Sequence, residues 1–170
     1  TAALNGGTDV TLRTSAGGAQ NGDITLAAPI DTTAGLLPSG ATLRLEAHND
    51  IYLNSDITSS ANPLHLYLLS DQDGDGIGQL NWATATLDLR GGTALIKKGA
   101  PGGSGSNLDG QISITAASNP VLAAGSTLQA AGLSLASGTL TVNGSLTTTG
   151  YSQSGGALGG SGTLVLNGNN

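Results

Sequence analysis

Two stretches of the chain are nearly identical: Ser137-Gly138-Thr139-Leu140-Thr141-Val142-Asn143-Gly144 and Ser161-Gly162-Thr163-Leu164-Val165-Leu166-Asn167-Gly168. Their offset is 161 − 137 = 24. A second pair lies upstream, Gly22-Asp23-Ile24-Thr25-Leu26 with Ile30 and Asn49-Asp50-Ile51-Tyr52-Leu53 with Ile57, at an offset of 51 − 24 = 27. Each unit is a short stretch of alternating side chains closed by Asn, Gly or Asp. Self-similarity of strand-like units at this spacing predicts a solenoid, in which the repeat is the architecture. Function is then sought on an outer face or in an inserted loop.

Composition supports a thin, regular core. The 170 residues include 28 Gly and no Phe, Met or Cys, and aromatics make up 2%. Leu, Ile, Val and Ala must therefore pack in rows, without the large rings that fill irregular interiors. Only 9% of residues are charged and the net charge is −6, so the composition is not that of a disordered chain. The five basic residues (Arg13, Arg44, Arg90, Lys97 and Lys98) form no patch that would neutralise a phosphate backbone, which argues against a nucleic-acid partner. No run approaches the ~20 apolar residues of a membrane-spanning helix, and the aromatic girdles of an outer-membrane barrel are missing. The first residues lack the basic start and apolar run of a signal peptide.

Alternation predicts strands at 10–13, 23–27, 42–47, 51–53, 64–69, 86–89, 93–96, 111–115, 127–129, 133–135, 139–142, 145–148 and 163–166. In Thr42-Leu43-Arg44-Leu45-Glu46-Ala47, Leu43, Leu45 and Ala47 face one way and Arg44 and Glu46 the other. No segment has helical spacing over three turns. A sandwich or barrel competes as an alternative, with Asn143-Gly144 as a hairpin turn between 139–142 and 145–148. A parallel β-helix with roughly 20–27 residues per coil fits the two offsets better. It predicts a single segment over 1–170 with about seven coils. A Gly/Ser-rich stretch at 97–107 interrupts the rhythm and reads as a loop or seam between a richer block (1–96) and a plainer Thr/Ser/Gly block (108–170).

The stretches 22–30, 47–54 and 70–78, with the tail 151–164, resemble filamentous-haemagglutinin-type exoproteins of Gram-negative bacteria and the repeat stalks of autotransporter passengers. The resemblance implies a right-handed parallel β-helix shaft. Such a shaft is exported through an outer-membrane pore, by two-partner secretion or as an autotransporter. It is then held at the cell surface or released, with host or bacterial surface glycans or proteins as partners. It further implies an internal piece of a larger adhesin rather than an enzyme.

The sharpest local motif is Asp71-Gln72-Asp73-Gly74-Asp75-Gly76. Carboxylates at alternate positions followed by Gly are how a loop wraps oxygens around Ca²⁺, which makes Asp71, Asp73 and Asp75 candidate metal ligands. The twelfth position of an EF-hand loop, which wants a bidentate Glu, holds Trp82. The plainer reading is an Asp/Gly corner whose carboxylates cap backbone N–H groups. No catalytic residues are expected. A β-helical polysaccharide-active enzyme of lyase type, the alternative, needs clustered Asp beside a base, and only Arg90, Lys97 and Lys98 are at hand. Lys97-Lys98 reads more simply as a solvated pair. His48 and His65 lack metal-ligand spacing. Tyr52, Tyr67 and Trp82 gain interest as a sugar-stacking set if they share an exposed face, which keeps a carbohydrate-binding module in view.

Overall fold

A computed structural model describes residues 1–15, 20–32, 40–60, 62–99, 108–114 and 119–168. A four-residue helix α1 (Ala2–Asn5), which alternation does not foretell, precedes the strands. In chain order these are β1 (Val10–Arg13), β2 (Ile24–Leu26), β3 (Ile30–Thr32), β4 (Ala41–Glu46), β5 (Ile51–Leu53) and β6 (Ile57–Ser59). They continue with β7 (Leu64–Ser70), β8 (Leu80–Trp82), β9 (Thr86–Asp88), β10 (Thr93–Lys98), β11 (Leu108–Asp109) and β12 (Gln111–Ile114). The last six are β13 (Val121–Leu122), β14 (Thr127–Leu135), β15 (Thr139–Val142), β16 (Ser145–Gln153), β17 (Ala157–Gly159) and β18 (Thr163–Leu166).

These strands stack in three columns. The first is β1, β4, β7, β10, the front of β14, the front of β16, and β18. The second is β2, β5, β8, β12 and the rear halves of β14 and β16. The third is β3, β6, β9, β13, β15 and β17. Every pairing in the columns is parallel; the exception is β11, which turns back antiparallel on β10 with Lys97 opposite Asp109. Because β14 and β16 run through a corner unbroken, the first two columns merge into one curled 12-stranded sheet, a half-barrel, facing a 6-stranded one. The chain is thus all-β with mostly parallel strands in repeating layers, compatible with a β-helix or solenoid.

The core follows from register. Inward positions stack like on like: Leu43 on Leu66, Ala94, Leu128 and Leu146 in the first column. Ile51 stacks on Leu80, Ile112 and Leu133 in the second, and Ile57 on Leu87 and Leu122 in the third. All of these are buried. Burying a Leu or Ile side chain stabilises by about 1.5–3 kcal/mol, and each layer repeats that gain with the same few residue types.

The upstream offset is a true layer height: Ile24 pairs with Ile51 and Ile30 with Ile57, the same step of 27 that separates Asp23 from Asp50. The tail offset is not. Ser145 pairs with Thr163 and Thr139 with Ala157, so the layer there is 163 − 145 = 18, the separation of Asn143 and Ser161. The two similar octapeptides sit on different columns, β15 on the third and β18 on the first. The underlying unit is six residues. Gly recurs at 132, 138, 144, 150, 156, 162 and 168. Three units complete a layer, and the octapeptides stand four units apart, which is one layer plus one face. Corners such as Gly144 and Gly162 need Gly because they press on the layer beneath, whereas Gly150 has room. A Cβ on Gly144 would lie 2.2 Å from the Ser126 carbonyl oxygen, and one on Gly162 would lie 2.1 Å from that of Gly144.

Other expectations are corrected. Asn143-Gly144 is a corner rather than a hairpin turn, since the strands it joins lie in different sheets. The 127–129 and 133–135 segments are one strand, which flips its inward side at Ala131-Gly132: Leu128 and Ala130 are buried before it, Leu133 and Leu135 after it. The strands that alternation passes over are β3, β6, β8, β11, β13 and β17, each of two or three residues. Lys97 and Lys98 belong to β10, not to a loop, while 100–107, the rest of the expected seam, falls outside the described residues.

Candidate functional site

Corners between the first and second columns lie above one another. They carry Asn21 and Gly22, then Ala47 to Asp50, then the loop from Asp71 to Gln79, then Lys98 and Gly99. The Asp/Gly loop is pinned into this edge by its backbone. The Asp71 N–H donates to Asn49 O at 2.9 Å and the Gly74 N–H to Asp71 O at 2.9 Å. Asp71 has a φ of 51°, a region where Asp and Asn are tolerated better than most residues. A Cβ on Gly99 would lie 1.7 Å from Asp71 O, so the next layer requires glycine there.

The structure brings the three candidate ligands together: one carboxylate oxygen from each of Asp71, Asp73 and Asp75 lies within 4.8 Å of the others. Their environments differ. The Asp71 side chain is 1% exposed; it accepts the Gly76 N–H at 3.1 Å and lies 3.5 Å from Lys98 Nζ. Burial pushes its carboxyl up from the ordinary value; the Lys98 charge and the Gly76 N–H work against this, and a hydrogen bond with Asp75 adds to it. Asp73 Oδ2 lies 3.4 Å from His48 Nε2, while its Oδ1 is buried without a donor. Asp75 Oδ1 accepts the Ile77 N–H at 2.7 Å. Lys98 also donates to Gly76 O at 2.9 Å. It is therefore not a solvated lysine but a tethered cation inserted into the acidic loop from the layer above. The cluster has the oxygen chemistry of a hard-cation site, with an ammonium already on one flank.

His48 and Lys98 join this loop although local spacing marks neither as its partner. In the β7–β10 register Lys98 stands opposite Ser70, one residue before Asp71, so stacking of successive layers brings it to the loop.

The remaining acidic residues do a different job. Asp9 Oδ1 accepts the Thr42 N–H, Asp23 Oδ1 that of Asp50, Asp50 Oδ1 that of Gln79, and Asp56 Oδ1 that of Thr86, at 2.7–3.1 Å. In the tail Asn143 Oδ1 does the same for the Ser161 N–H at 3.1 Å. Each is a corner side chain satisfying a backbone donor one layer on. Asp31 accepts from Thr58 Oγ1 at 3.0 Å. Arg90, the other basic candidate, is an exposed corner residue with φ 51°.

The aromatics share no face. Trp82 is 1% exposed and points into the core, its indole N–H donating to Ala85 O at 2.8 Å. Tyr52 stands on the second column and Tyr67 on the first. Tyr52 OH donates to Asp50 Oδ2 at 2.8 Å, and that bond, then burial, then the Asp50 charge push its phenol up to about 12. The Arg44 guanidinium lies 3.9 Å over the Tyr67 ring. It also donates to Glu46 Oε1 at 2.9 Å, while Arg13 Nε donates to Oε2 at 2.6 Å. His65 is a half-exposed strand residue, as its position in the alternation implies, and its Nδ1 accepts the Thr93 N–H at 3.3 Å. No helix among the described residues is long and apolar enough to cross a membrane.

No known protein family, curated protein or solved structure matches the chain.

Proposed function

We propose that the chain is a segment of a right-handed parallel β-helix shaft, about seven coils tall, belonging to a large bacterial surface exoprotein of the filamentous-haemagglutinin or autotransporter-passenger kind. It is exported through an outer-membrane pore and presents an extended surface for adhesion to glycans or proteins, without catalysis. The observation that carries the reading is the stacking of three columns in register, with corner carboxylates tying one layer to the next. Those bonds engage Asp23 and Asp50 in holding layers together, and Lys98, the base beside the acidic loop, is tied to Gly76 O and Asp71. The sequence resemblance supplies the cellular setting.

The test has two arms. Placed behind a two-partner secretion domain and co-expressed with its pore, the segment should reach the cell surface in a protease-resistant form and promote attachment of coated beads to cells. A screen for cleavage of acidic polysaccharides should give no turnover. Robust turnover replaces the shaft with the enzyme reading.

A further inference from the structure

Beside the acidic loop lies a groove of about 330 Å³ lined by Gln20, Asn21, His48, Asn49, Asp75 and Ile77. Its volume lies near the lower end of the range for small-molecule pockets, about 300–1,000 Å³. Three successive layers contribute to it: Gln20 and Asn21 from the first, His48 and Asn49 from the second, Asp75 and Ile77 from the third. Here the stacked corners open instead of closing on one another.

The polar groups facing this groove are under-used. Gln20 and Asn21 are exposed and their amides pair with no side chain among the described residues. Asn49 engages its Nδ2 with Asp23 at 2.7 Å, leaving its carbonyl oxygen over. His48 engages Nε2 with Asp73, leaving Nδ1. The groove thus offers planar amides that donate and accept side by side, an imidazole nitrogen and a carboxylate. Ile77, 67% exposed, stands at its wall. Vicinal hydroxyls donate and accept at the same spacing as a carboxamide, and the C–H face of a pyranose needs one apolar contact. An anionic ligand is disfavoured by Asp75 and the neighbouring Asp73. A wholly apolar one would strip the amides of water without replacing their hydrogen bonds.

We infer that this corner groove binds a neutral saccharide unit, held by the amides of Gln20, Asn21 and Asn49 and packed against Ile77. The inference rests on the adhesive reading above and gives it a site and a ligand class. The test is a glycan array of neutral and acidic oligosaccharides probed with the 170-residue protein, followed by calorimetric titration of the glycans it retains. Neutral glycans should be retained, and the pair Asn21→Ala with Ile77→Asp should weaken binding at least tenfold at an unchanged melting temperature. Because both side chains are exposed and outside the core, Gln20→Ala serves as an independent check with the same expected direction. Retention of acidic glycans alone, retention of none, or equal binding by the variants overturns the inference. Export to the cell surface in a protease-resistant form, measured separately, does not depend on the groove, so a failed array leaves the shaft reading to stand or fall on its own test.

Discussion

Asp50 Oδ1 accepts the backbone N–H of Gln79 at 2.8 Å, 29 residues away, while its other oxygen accepts the Tyr52 hydroxyl. One side chain thereby joins two layers and sets the ionisation of a neighbour. Asp50→Ala should destabilise by about 1 kcal/mol, the usual net value of one hydrogen bond, read by denaturant unfolding. Asp50→Asn keeps the acceptor for Gln79 and removes the charge. It should leave stability near wild type while bringing the Tyr52 phenol down from about 12 towards the ordinary 10 in a spectrophotometric titration. A Tyr52 titration that ignores Asp50→Asn would contradict the assigned contact.

The six-residue unit makes a paired prediction about glycine. At Gly162 an added methyl meets a carbonyl oxygen at 2.1 Å, whereas at Gly159 nothing lies within 4 Å. Gly162→Ala should lower the melting temperature clearly. Gly159→Ala should leave it unchanged or raise it slightly by restricting the unfolded chain, an effect of about 0.4–1 kcal/mol where the backbone is compatible. Equal effects at the two positions would show that the tail corners do not touch as described.

Glu46 gives a pH signature. Its side chain is 4% exposed, and burial opposes its charge, but hydrogen bonds from Arg44 and Arg13 outweigh this and hold its carboxyl below the usual 4.5. A carboxyl depressed in the folded state contributes stability that is complete above its unfolded value and lost as pH falls through its folded value. The difference in melting temperature between wild type and Glu46→Gln should therefore be constant from pH 7 to about pH 5 and shrink on further acidification.

Calcium tests the acidic loop. Three carboxylates within 4.8 Å of one another repel, so millimolar Ca²⁺ should raise the melting temperature, and Asp73→Asn with Asp75→Asn should abolish the rise. Lys98→Met removes the competing ammonium and should enlarge it. No shift in either protein sinks the cation reading and leaves Lys98 and His48 as the loop's counter-charges.

How far the sequence can be read follows from strand length. Leu43, Leu45 and Ala47 alternate with Arg44 and Glu46 long enough to show a buried face, so the first column is legible. Val121–Leu122 offers two residues, too few for any period, and most of the third column escapes notice for that reason. Trp82 looks by residue type like an aromatic for a surface, whereas its register opposite Leu53 fixes it inside. The tail misleads differently. Its similar octapeptides suggest a single layer between them but stand on different faces, because all faces there are built from the same six-residue unit. Likewise the acidic loop is visible as a motif, but its partners His48 and Lys98 are set by stacking between layers, which local pattern does not reveal.

The layer shortens from 27 residues between β2 and β5 to 18 in the tail, and this has a mechanical consequence. Each layer advances by one strand spacing, about 4.8 Å, whatever its circumference. In the tail a given length of chain therefore reaches half as far again as it does between β2 and β5. The tail layer still buries a residue on each of the three columns, Leu128, Leu133 and Leu140, so the slender end gains reach while keeping its inward stacks.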